Sequence, residues 1–306
     1  MNAVELEHVS KTFGSTVAVD DLSLAVPTGS IYGFIGPNGS GKTTTLRVIM
    51  NIFHPDRGTV RVFGTELRGA RSERIGYLPE ERGLYKRMKV RDILRFYGEL
   101  KSGRNVDGAV EHWLQRLDLT EYAGKKVEAL SKGTSQRVQF AATVVAQPEL
   151  LILDEPFTGL DPLNTEVIRA AILEQRGRGA TVILSTHDMN VAERMCDFIF
   201  MIFKGRKVLD GTLRDIQDRY GTDTLRLRAE GGAAVLQGLP GVEALRDFGQ
   251  MQELRMAPGI DSQVLLGLIL SRARVSSFEI ARPSLHDVFV RIAGPAEKEV
   301  SHAPGA

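Results

Sequence analysis

The chain has 306 residues, 42% hydrophobic and 25% charged, with 39 Lys plus Arg against 38 Asp plus Glu. These proportions suit a folded globular protein with one large domain and a small one. The near-balanced charge, with no dense basic block, gives no electrostatic ground to expect nucleic acid.

The single cysteine, Cys196, excludes an intrachain disulfide and a cysteine metal cage, and it suits a reducing compartment. The opening MNAVELEHVS carries charges where a signal peptide needs an apolar run. No apolar stretch approaches the ~20 residues that cross a bilayer. A cytoplasmic chain is therefore expected, with any membrane role exercised through a partner.

In chain order, Val4, Leu6 and Val9, then Leu22, Leu24 and Val26, alternate with polar positions and predict a half-buried strand pair. IYGFIG predicts a buried strand that turns through glycines into a helix over KTTTLRVIMNIF. GTVRVFG and RIGYLP read as short strands. From about Val90 the period becomes helical: Ile93, Leu94, Phe96, Tyr97 and Leu100 form one apolar face, and Trp113, Leu114 and Leu117 another. A helix is also expected after ALSKG. ELLILDEP and ATVILSTH are continuous apolar runs, as in central strands covered on both faces. FIFMIFKGRKVLDG predicts a hairpin turning at Lys204-Gly205. Beyond about residue 220, TLRLRAE, ELRMAPG and VSSFEIARP read as strands, with SQVLLGLILSRA as a helix, which makes a small α+β domain over 221–293. The Gly-, Pro- and Ala-rich end, 294–306, predicts a disordered tail.

The chemistry concentrates at strand ends. GPNGSGKT, comprising Gly36, Pro37, Asn38, Gly39, Ser40, Gly41, Lys42 and Thr43, with Thr44 following, fits a phosphate loop between a strand and a helix. Its glycines let backbone N–H groups turn in around phosphate oxygens, Lys42 adds a compact positive charge, and Thr43 offers a hydroxyl to Mg²⁺. LLILDE puts Asp154 and Glu155 at the carboxyl end of a buried strand, where ligand clefts form in α/β sheets. Asp154 would hold magnesium through its water shell, and Glu155 would orient and deprotonate the attacking water. LSTHD repeats the geometry, so that His187 would donate to the γ-phosphate and hold that water in line. In LSKGTSQ, Ser131 and Gly133 stand where a helix begins and exposes unpaired N–H groups, a setting that favours an anion.

Over roughly residues 4–220 these motifs, in this order, resemble the ATP-binding cassette (ABC) ATPases, with LSKGTSQ in the place of that family's Leu-Ser-Gly-Gly-Gln signature. The resemblance implies an α/β fold: a P-loop NTPase core of ABC type over 1–220, with an antiparallel β subdomain and a helical subdomain at about 90–145. It implies ATP as substrate with Mg²⁺, and two cassettes, identical or related, clasping two ATP molecules head to tail. Ser131 and Gly133 would then complete the nucleotide site of the partner cassette. A separate transmembrane permease is implied, with the chain peripheral on the inner face of the cell membrane.

Phe13 occupies the position that stacks on adenine, and Asp161 resembles the dimer-contact loop, although Asp followed by Pro is also a plain helix start. Two departures stand out. Lys132 and Thr134 replace a signature glycine and glutamine, and Glu80 stands where a glutamine touches Mg²⁺. RPSLHDVFVRIAG resembles the C-terminal extension of drug- and sodium-exporting cassettes, which implies export. The alternative is a soluble ABC-type mechanical ATPase acting on ribosomes or nucleic acid; one phosphate loop and no heptad repeat weigh against it. A regulatory subunit that scarcely hydrolyses ATP is the other rival, opposed by Asp154, Glu155 and His187.

Overall fold

The computed structural model describes residues 1–66, 73–81, 83–221 and 223–300, with 294–300 as backbone alone. The chain divides into two compact units, Met1–Gly211 and Thr212–Ala306.

The first unit opens with strands β1 (Asn2–Phe13) and β2 (Thr16–Pro27), paired antiparallel with Val4 opposite Val26 and Leu6 opposite Leu24. Together with β4 (Arg57–Val62) and β5 (Thr65–Glu66) they form a four-stranded sheet ordered β2-β1-β4-β5. The central sheet is built from β3 (Ile31–Ile35), β6 (Ile75–Leu78), β7 (Leu150–Asp154), β8 (Thr181–Thr186), β9 (Phe198–Phe203) and β10 (Arg206–Thr212), in the order β10-β9-β3-β8-β7-β6. From β9 to β6 every neighbouring pair is parallel.

The continuous apolar runs have the expected cause. Every residue of β3, β7 and β8 is buried. Leu151 and Leu153 face a layer of helices that includes Trp113 and Phe140, whereas Leu150 and Ile152 face the layer that holds Leu46, Val4 and Leu24. Each fully buried Leu or Ile contributes about 1.5–3 kcal/mol. The turn between β9 and β10 has Lys204 at φ 49° and Gly205 at φ 78°, the type I′ combination that suits a two-residue hairpin.

Helix α1 (Lys42–Ile49) follows β3. It ends before the expected Phe53, because Asn51 turns into the left-handed region at φ 57°. Helices α2 (Val90–Ser102), α3 (Asp107–Arg116) and α4 (Lys132–Val144) follow, then α5 (Pro162–Gly177) and α6 (Met189–Met195). On α2, Ile93 and Leu94 are fully buried, but Phe96 and Leu100, expected on the same face, are 39% and 68% exposed. The apolar stripe of α2 is wider than the core it covers.

The second unit is an antiparallel sheet of β11 (Thr224–Ala229), β12 (Val242–Asp247), β13 (Gln252–Met256) and β14 (Val275–Ala281), ordered β12-β13-β11-β14. It is accompanied by α7 (Leu213–Tyr220), α8 (Ala233–Leu236), α9 (Ser262–Leu270) and α10 (Leu285–Val300). Leu225, Leu227 and Leu254 pack with Leu265 and Ile269 of α9 to form its core. Helix α10 runs through residues 294–300, where a disordered tail was expected; residues 301–306 lie outside the described residues. Among the described residues no helix is long and apolar enough to cross a membrane.

Candidate active site

Strands β3, β7 and β8 lie side by side and parallel, so their carboxyl ends open onto one edge of the sheet. Buried Lys42, Asp154, Glu155, Ser185 and Thr186 gather at that edge.

The phosphate loop leaves β3 at Gly36. A Cβ at Gly36 would lie 2.2 Å from the Ile202 carbonyl oxygen and 2.7 Å from Ser40 Oγ, so only glycine fits there. Gly41 precedes α1 at φ 107°, where a Cβ would stand 2.4 Å from the Ala18 carbonyl oxygen. Both glycines hold the loop tight enough for its N–H groups and the start of α1 to converge on an anion. Between them, Pro37 is half-buried, Asn38 and Gly39 are exposed, and Ser40 is buried with its hydroxyl unpartnered.

Lys42, only 6% exposed, lies back along this loop. Its Nζ donates to the Gly36 carbonyl at 2.6 Å and the Pro37 carbonyl at 3.1 Å. Burial pushes the ammonium below the ordinary lysine range, against the opposing pull of Glu155, Asp154 and Glu80. Thr43 Oγ1 donates to Asp154 Oδ2 at 2.9 Å. Asp154 is 1% exposed, and its other oxygen, Oδ1, has no hydrogen-bond partner. A buried carboxylate oxygen left unsatisfied beside a hydroxyl is costly unless something binds it. This donor set of one hydroxyl and one carboxylate fits a hard cation that also takes phosphate and water oxygens, as Mg²⁺ does.

Glu155 is held in the left-handed region at φ 51°, uncommon for a residue with a side chain and a form of strain that clusters at functional sites. Its backbone N–H donates to the Ser185 carbonyl at 3.0 Å. Oε1 accepts from the His187 backbone N–H at 2.9 Å and from His187 Nδ1 at 2.8 Å, and Oε2 accepts from Thr158 Oγ1 at 3.1 Å. A carboxylate partner places the imidazole proton on Nδ1, which leaves Nε2 as the ring's other polar atom. The His187 side chain is half exposed, whereas Glu155 is buried. Thr158 escapes a reading of the sequence, since it reaches the carboxylate only through the strained turn at Glu155. Ser185, whose buried hydroxyl is unpartnered, is likewise hidden inside an apolar run.

The remaining candidates lie around this centre. Glu80 is exposed just past β6, where the register pairs Leu78 with Leu153. Continued two residues, that register sets Glu80 level with Glu155. The Phe13 ring is 44% exposed and meets Phe53 edge to face at 5.2 Å. Thr44 is half-buried in the first turn of α1.

Ser131 caps α4: its Oγ accepts from the Thr134 N–H at 3.2 Å and pairs with Thr134 Oγ1 at 2.9 Å. Thr134 is thereby buried as part of the cap. A Cβ at Gly133 would stand 2.5 Å from Asn164 Nδ2, so the start of α4 packs closely on the start of α5. Asp161 caps α5, accepting from the Asn164 N–H at 2.9 Å, with Pro162 at the first helical position. The fold thus brings together Lys42, Thr43, Asp154, Glu155 and His187. It leaves Ser131 and Gly133 on a separate helix terminus.

The ABC transporter domain family matches residues 19–158, and the C-terminal domain of DrrA1-3-like ATP-binding proteins matches residues 211–293. The chain is 38% identical over 94% of its length to an uncharacterized ABC transporter ATP-binding protein, YhaQ of Bacillus subtilis, and covers 98% of that protein. This chain belongs to the ABC transporter ATP-binding proteins. It is also 34% identical to the Nod factor export ATP-binding protein I of Sinorhizobium fredii, covering 97% of this chain and 88% of the relative. A solved structure titled as the ATP-binding subunit of an ABC transporter superposes with a TM-score of 0.67 at 29% identity, over 71% of this chain and 93% of that one. The family is one of ATPases, and these near-full-length matches favour a transporter subunit over a mechanical ATPase acting on ribosomes or nucleic acid.

Proposed function

We propose that this ABC ATPase hydrolyses ATP with Mg²⁺ in a head-to-tail pair of cassettes and so drives a separate transmembrane permease, in the direction of export. The observation that carries the catalytic reading is the pairing of Thr43 with Asp154, one carboxylate oxygen of which is buried and unspent, beside a Glu155 fixed by three side-chain hydrogen bonds. Thr43 and Asp154 would hold the magnesium, with Glu80 at its margin. The cation, when bound, supplies positive charge to the β- and γ-phosphate oxygens.

The chain's own groups divide the remaining work. The backbone from Gly36 to Thr44 cradles the phosphates, and Lys42 exchanges its two carbonyl partners for phosphate oxygens. That exchange favours the charged ammonium, which burial alone disfavours. Glu155 takes a proton from the attacking water, and the bond from His187 Nδ1 keeps the carboxylate aimed while Nε2 faces the nucleotide. Phe13 stacks on the base. Ser131 and Gly133, at a helix start that does not join this centre within one chain, serve the nucleotide of the opposite cassette. Export is supported by the printed name of the Nod factor relative and by the match to a C-terminal domain of DrrA1-3 type.

The test is Glu155→Gln. ATP binding should persist, turnover should fall about 10²–10⁴-fold, a barrier increase of about 3–5 kcal/mol, and an ATP-bound dimer should accumulate on size exclusion. Near-normal phosphate release would remove Glu155 from its role as base.

A further inference from the structure

Lys132 is placed against local preference. It occupies the first position of α4, immediately after the capping Ser131, where the helix dipole disfavours a cation. It is exposed, and among the described residues no carboxylate lies within ion-pair distance of it. Its side chain crosses the turn that follows Glu155: a Cβ at Gly159 would stand 2.1 Å from Lys132 Nζ. Gly159, at φ 71°, leaves the room that the ammonium occupies. The charge is thus held at the exposed start of α4, beside Ser131.

Glu80 presents the opposite imbalance. At the catalytic edge three carboxylates, Asp154, Glu155 and Glu80, act on the single ammonium of Lys42, and a triphosphate adds further negative charge. Glu80 is the exposed member of that set. The two charges do not meet within one chain. Gln139 Nε2 ties α4 to the Glu81 carbonyl at 3.2 Å, and Lys132 lies seven residues, about 10 Å of helix, before that tie.

We propose that in the ATP-bound dimer Lys132 of one copy forms an ion pair with Glu80 of the other, twice by symmetry, latching each nucleotide site closed. The inference rests on the head-to-tail reading above and adds to it a partner for each departure in sequence. The glycine lost from the signature and the glutamine lost after β6 become the two halves of one contact. The start of α4 brings Ser131 and Gly133 to the γ-phosphate, and Lys132 beside them meets Glu80, the exposed one of the three carboxylates that act on Lys42.

A charge-swap cycle in the Glu155→Gln background, read by analytical ultracentrifugation with saturating ATP and Mg²⁺, decides the matter. Lys132→Gln and Glu80→Gln should each raise the dimer dissociation constant about 100-fold, at roughly tenfold per pair. The double variant should be no worse than either single one, and Lys132→Glu with Glu80→Lys should recover most of the loss. The single-variant defect should shrink as salt rises. Both side chains are exposed, so all variants should fold. Additive losses, or a swap that restores nothing, would overturn the pair while leaving the dimer standing. A Glu155→Gln protein that stays monomeric at every ATP concentration would overturn the pair and the head-to-tail reading together.

Discussion

The two units of this chain treat buried polarity in opposite ways. In the second unit, arginines pair with carboxylates across its strands and helices. Arg226 pairs with Glu253 at 3.1 Å, Arg255 with Glu243 at 2.7 Å, Arg291 with Asp223 at 2.9 Å, and Arg246 with Asp287. Among the described residues, all buried side-chain polar atoms without a partner lie in the first unit, and three of them, Ser40 Oγ, Asp154 Oδ1 and Ser185 Oγ, belong to residues at or beside the catalytic edge. Unmet hydrogen-bonding capacity costs stability. The three at the ends of β3, β7 and β8 mark a surface shaped for something other than its own fold, and a strained Glu155 adds to that cost. The described residues of the second unit leave no buried side-chain polar atom without a partner.

The strongest way to break this contrast is Lys42→Met. If the site trades stability for function, turnover should fall about 10²–10³-fold. The melting temperature should hold or rise, because a buried ammonium whose charged form burial disfavours has been replaced by an apolar chain of similar length. Phosphate release and calorimetry on the same sample check it. A melting temperature lowered as much as by a core truncation would make Lys42 a structural residue. Phe13→Ala sharpens the same side of the comparison with a smaller effect. Losing the stacked ring should weaken ATP binding by about 1–3 kcal/mol, roughly five- to 150-fold, as read by fluorescent-nucleotide titration. With a ring already 44% exposed, stability should barely change. Unchanged affinity would return Phe13 to packing against Phe53.

Much of the first unit was readable in the chain because its strands are covered on both faces, so apolar continuity and burial coincide in runs such as LLILD, Leu150–Asp154. The phosphate loop was readable because its glycines answer to local backbone geometry. What could not be read depends on tertiary packing. Phe96 and Leu100 continue the helical period of α2 yet find no layer above them. Thr158 reaches Glu155 through a left-handed turn that no propensity announces. Lys132 and Gly159 meet across 27 positions of sequence. In the second unit, Ser284 and Asp287 are a legible S-x-x-D helix start hidden inside a stretch read only for its resemblance.

That helix start supplies the smallest effect and the test of the other side of the contrast. Ser284 Oγ accepts from the Asp287 N–H at 3.1 Å, and Asp287 Oδ2 accepts from the Ser284 N–H at 3.2 Å and from its hydroxyl at 2.6 Å, while Oδ1 takes Arg246. Burial pushes the Asp287 carboxyl up, but the Ser284 and Arg246 hydrogen bonds outweigh it and hold the group below the ordinary aspartate range. A lowered folded-state value means stability that is complete above the unfolded value, about 3.9, and is lost as pH falls through the folded one. Asp287→Asn should therefore cost about 1–3 kcal/mol at neutral pH, seen as faster hydrogen exchange along α10, with ATP turnover unchanged. Below pH 4 the difference between the two proteins should shrink, because the unfolded chain's carboxyl takes up a proton first and the native one follows only at lower pH. A variant that lost turnover at neutral pH while α10 stayed protected would tie this pair to the catalytic cycle and end the division of labour between the units.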